Sequence, residues 1–79
     1  MTLNLPGKDP IEVKDRDHLK KSIFEIAQKI GGAEADAQIK VKKLQQLFAV
    51  NEETLNGIGP DIYLDVKNKI NDIIRSLLT

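Results

Sequence analysis

From Pro60 to Thr79 the chain carries Ile62, Val66, Ile70, Ile73, Ile74 and Leu77 at three- and four-residue steps, with no glycine or internal proline to interrupt them. That spacing puts the six on one stripe of an α-helix. The isoleucines lower helix propensity slightly, but the period decides for helix. Pro60 suits the first helical position, where its fixed φ is pre-organised and its missing N–H costs nothing. Asp61 follows in the first turn, where a carboxylate complements the helix dipole. A helix with so broad a stripe must lay it on other apolar surface, so the rest of the chain has to supply that surface.

Two further stripes do so. Leu19, Ile23, Ile26, Ala27 and Ile30 predict a helix from about Arg16 or His18 to Ile30, capped by Asp17 or Asp15 and ended by Gly31. Ala37, Val41, Leu44, Leu47 and Phe48 predict a second helix from about Glu34 to Ala49. Asn51, followed by Glu52 and Glu53, reads as the N-cap of a short helix with room for little more than one turn before Gly57. At the N-terminus Leu3 and Leu5, then Ile11 and Val13, alternate with polar residues around Pro6-Gly7-Lys8-Asp9-Pro10. This predicts a β-hairpin with a five-residue loop and one shared apolar face. The expected fold is mainly α. It is a single domain over residues 1–79, with a β-hairpin at 1–14 and a compact bundle of three long helices and one short helix at 16–79.

Size and charge restrict the function. A 79-residue domain buries only about 60% of its unfolded surface, so its own core is marginal. It has no cysteine for a disulfide or a zinc site, and a single histidine, so no metal and no cofactor is expected. Lysine plus arginine total 12, as do aspartate plus glutamate, and the balance is local: residues 1–40 carry seven of each sign and residues 41–79 five of each. Nucleic-acid-binding domains are usually basic, so zero net charge argues against strong non-specific binding. No window has the length of a membrane span and no signal pattern opens the chain. The expectation is therefore a soluble cytoplasmic protein with no membrane partner.

Leu55-Asn56-Gly57-Ile58-Gly59-Pro60, with Val66 downstream, resembles the helix-hairpin-helix motif of DNA-binding and repair proteins. The resemblance implies that Leu55 closes a first helix, that Gly57 and Gly59 supply backbone freedom, and that Ile58 and Val66 pack between the helices. It also implies that backbone N–H groups at Gly57, Ile58 and Gly59 receive a phosphate, helped by Lys67 and Lys69. Free N–H groups at a helix N-terminus attract anions, and such contacts give affinity without reading sequence. Three features depart from the family: the first helix is short, Asp61 stands where a basic or small residue is common, and Tyr63 stands where alanine is common. The alternative is plain punctuation, a glycine stop followed by a proline start.

Lys20, Lys21, Lys40, Lys42 and Lys43 form a basic patch if the first two long helices pack side by side; otherwise they are solvated faces. His18 and Ser22 are four residues apart and close enough to touch on a helix, but no orienting group or anion hole accompanies them, so no enzyme is expected. Four apolar faces are hard to bury in so few residues. The leading expectation is a protein-interaction, adaptor or regulatory module that associates with itself or another protein. The candidate interface is Leu3, Leu5, Ile11 and Val13 of the hairpin with Ile62, Tyr63, Ile70 and Ile74 of the last helix. The alternative is a non-sequence-specific DNA-binding module.

Overall fold

The computed structural model describes all residues from Met1 to Thr79. Two strands, β1 (Thr2–Leu5) and β2 (Lys8–Glu12), form an antiparallel hairpin, followed by helices α1 (Arg16–Gly32), α2 (Ala37–Ile58) and α3 (Pro60–Leu78). No helix is long and apolar enough to cross a membrane. The mainly α fold with an N-terminal hairpin agrees with the sequence reading; the helix count and the hairpin loop do not.

The loop is Pro6-Gly7 alone, because Leu5 pairs directly with Lys8. Proline fixes the first turn residue, and Gly7 takes the second at φ 71°, the order of a type II turn. The register then slips by one residue between the Leu5–Lys8 and Leu3–Ile11 pairs, so Asp9 and Pro10 together face Asn4. Proline has no N–H for a ladder, and a bulge is where a strand tolerates it. The four apolar residues are not buried alike. β1 lies on the helices while β2 is exposed along its whole length, so Leu3 and Val13 enter the core, Leu5 stops at its margin and Ile11 stays outside.

α1 begins at Asp15, whose carboxylate accepts from the His18 backbone N–H at 2.9 Å. It runs through Gly31 rather than stopping there. A Cβ on Gly31 would lie 2.8 Å from Cγ2 of Ile73, so this glycine lets α1 and α3 approach closely.

There is no separate short helix: α2 is one helix of 22 residues. Asn51 is not an N-cap but the one buried polar side chain. Its Oδ1 accepts from the Asn4 backbone N–H at 2.8 Å, and its Nδ2 donates to the Asn4 carbonyl at 2.9 Å and to the Leu47 carbonyl at 2.8 Å. The carboxamide thus pairs with the outer edge of β1 as a neighbouring strand would. Asn4 returns the contact, its Nδ2 donating to the Val50 carbonyl at 3.0 Å. The core beneath is made by Leu19, Ile23 and Ala27 of α1, Leu44, Leu47 and Leu55 of α2, and Ile62, Val66 and Ile70 of α3, with Leu3 and Val13 from the N-terminal segment.

Candidate functional site

The corner between α2 and α3 is a single residue. Gly57 lies inside α2 without a positive φ, and the helix continues through Ile58. Gly59 then reverses the chain at φ 150°, ψ 154°. Its N–H donates to the Leu55 carbonyl, and its carbonyl accepts from the Tyr63 N–H to open α3. A Cβ on Gly59 would sit 2.9 Å from the Asp61 carboxylate.

That carboxylate dominates the electrostatics here. Asp61 lies at the N-terminal end of α3 and pairs with Arg16 of α1 at 2.8 Å. The Ile62 backbone N–H beside it, and then the Arg16 guanidinium, hold its carboxyl below the usual aspartate range. The corner therefore already carries an anion at the position where the helix dipole attracts one.

The two lysines expected to assist the corner diverge. Lys67 stands over the Tyr63 ring at 6.0 Å and Lys69 over the Phe24 ring at 5.7 Å. Tyr63 packs edge-on against Phe48 of α2, whereas Phe24 belongs to α1, so the two ammonium groups straddle α3. The basic patch is divided as well. Lys20 pairs with Asp65 of α3 at 2.8 Å, and Lys40 donates to the Gly31 carbonyl at the far end of α1. Lys20 and Lys21 thus sit about two to three turns from the Lys40, Lys42 and Lys43 cluster, roughly 10–16 Å along the helix axis.

Of the eight residues expected at an interface, Leu3, Val13, Ile62 and Ile70 are buried in the chain's own core. Leu5, Tyr63 and Ile74 are half-buried around it, and Ile11 is exposed. His18 and Ser22 do not form a dyad: His18 Nδ1 accepts from the Lys14 backbone N–H at 3.0 Å. An open groove of about 450 Å³ lies between the C-terminal ends of α1 and α3, lined in part by Gln28, Lys69, Asp72 and Ser76.

Four exposed apolar side chains lie outside the stripes that the sequence pattern predicts. Ile39 and Val50 of α2 are 47% and 43% exposed, and Leu64 and Leu78 of α3 are 52% and 64% exposed. Lys42, Lys43, Glu52 and Glu53 on α2 are exposed, and none of them is in an ion pair within the chain. Of these, Ile39, Lys43, Val50 and Glu53 lie on one side of α2, a relation that exists only because the helix is unbroken.

No protein-family model, curated protein or solved structure matches this chain.

Proposed function

We propose that this chain is a non-catalytic protein-interaction or assembly module, of the adaptor or regulatory kind, that associates with itself. The supporting observation is how its apolar residues divide. Eleven reach the core, ten more stop half-buried around it, and six large ones stay exposed. Singly exposed apolar residues are ordinary. A ring of half-buried ones around so small a core is surface that a second molecule can cover with gain.

Duplex binding at residues 57–61 has less support. A phosphate approaching α3 meets the Asp61 carboxylate, and Lys67 and Lys69 lean onto opposite flanks of the helix. Two measurements separate the readings. Light scattering across a concentration series is expected to give a mass that rises above 8.8 kDa. Titration with duplex DNA at low salt is expected to give no binding. Salt-sensitive DNA binding by a chain that stays monomeric would reverse the assignment.

A further inference from the structure

The outer side of α2 carries a seam that the chain itself does not cover. Ile39, Lys43, Gln46, Val50, Glu53 and Gly57 follow one another at steps of four, three, four, three and four residues, and all six are exposed. This alternation averages 3.5 residues, the spacing that keeps a seam facing a partner helix. Both exposed large apolar residues of α2, Ile39 and Val50, lie on it.

Two details of the seam lack a use within one chain. Lys43 stands in the N-terminal half of α2 and Glu53 in the C-terminal half, and neither is in an ion pair. This order of signs runs against the preference set by the helix dipole. Gly57 lies inside the helix, where glycine is unfavourable. Its φ is not positive, and a Cβ added there would meet nothing within 4 Å. Neither backbone conformation nor internal packing calls for a glycine.

We infer that α2 pairs antiparallel with α2 of a second copy along this seam, about a twofold axis level with Phe48. Reversing one copy about that residue sets Ile39 against Gly57, Lys43 against Glu53 and Gln46 against Val50, each twice. The glycine gives the isoleucine room to seat, and each lysine gains the carboxylate it lacks. The contact is isologous, as a closed dimer requires. The inference rests on the self-association reading and places the contact on exposed residues of α2, outside the half-buried ring. The helix is about 33 Å long. Two such faces bury no more than the low end of the range for stable interfaces, about 1,200 Å². The dimer therefore belongs to the weak class, with a dissociation constant between about 1 μM and about 1 mM.

The test is a charge exchange read by sedimentation velocity at fixed ionic strength. Lys43→Glu alone places two carboxylate pairs in the dimer, and Glu53→Lys alone places two ammonium pairs. Each is expected to raise the dissociation constant by about tenfold or more. An equimolar mixture of the two variants is expected to recover dimers, as is the chain carrying both changes. Gly57→Leu supplies a second reading that does not depend on charge: a Cβ there meets nothing within 4 Å of the monomer and leucine favours the helix over glycine, so helicity and melting are expected to hold or rise while the Ile39 seat is blocked. Wild-type dimers that are indifferent to the swaps and to Gly57→Leu would overturn the α2 seam and leave self-association through another face. A wild-type chain that is monomeric throughout would remove both readings.

Discussion

Asn51 is the side chain on which the docking of the hairpin depends, and removing its amide tests that directly. Asn51→Ala deletes two hydrogen bonds to the Asn4 backbone and one to the Leu47 carbonyl, all at 2.8–2.9 Å. Each is worth about 0.5–1.5 kcal/mol net, and a stranded backbone group costs about 1–3 kcal/mol where water cannot replace the partner. Asn4 is only half-buried, so water recovers part of this. A loss of about 2–4 kcal/mol results, set against a total of about 4–12 kcal/mol for a domain of this length. Asn51→Leu fills the volume without restoring the amide, so it separates the polar contribution from the cavity and is expected to recover less than half of the loss. Urea denaturation followed by helical circular dichroism measures both, and hydrogen exchange at the Asn4 amide reports the clamp itself. If Asn51→Ala stays within about 0.5 kcal/mol of wild type, with unchanged protection at Asn4, the hairpin is held by its apolar contacts and the Asn4–Val50 bond, and the assigned role of Asn51 is refuted.

Three further outcomes follow from the helix junctions. Gly31→Ala drives a methyl group to within 2.8 Å of Ile73 Cγ2, which sits on a β-branched carbon that is stiff at χ1. It is expected to cost about 1–3 kcal/mol, and a double-mutant cycle with Ile73→Ala should show strong coupling. The glycines at the corner should behave oppositely. Gly59→Ala is expected to lose about 1–3 kcal/mol, because φ 150° with ψ 154° is backbone that only glycine adopts freely. Gly57→Ala is expected to gain about 0.5–1 kcal/mol as an ordinary helical position; equal effects in urea melts would refute the single-residue turn. Asp61→Asn is expected to destabilise the fold near neutral pH. Because the folded carboxyl titrates below its ordinary value, the contribution is present above about pH 5 and fades as pH falls from the unfolded value, about 3.9, toward the lower folded one. A gap between wild type and variant that stays constant from pH 7 to about pH 2.5 would contradict the assigned role.

Periodicity made the long elements legible. The Ile62 to Leu77 stripe and the Pro60 start located α3, and Leu19 to Ile30 located α1, because each pattern follows from the helix period itself. Residues whose local preference is overridden by distant contacts were not legible. Asn51 is a good cap by local chemistry, but its amide satisfies β1, 47 residues away, so α2 continues through it. Gly31 looks like a helix stop, yet it serves an approach to Ile73 that only the packed helices reveal. Pro10 is a turn former by local preference and so suggests a five-residue loop, whereas a one-residue bulge lets β2 keep it. The same limit applies at the candidate site. The corner residues and the basic cluster were visible one by one, but their separation along antiparallel helices was not, nor was the outer face of α2.

Self-association through α2 requires that a second copy of the chain cover the outer face of that helix. Amide NMR spectra of the uniformly ¹⁵N-labelled wild-type chain, recorded from about 20 μM to about 1 mM, span the range in which such a dimer forms. Progressive shifts concentrated at Ile39, Lys43, Gln46, Val50, Glu53 and Gly57, with slowing diffusion, are the expected result. Spectra that superimpose across the whole series, or shifts confined to the hairpin or to α3, would contradict it.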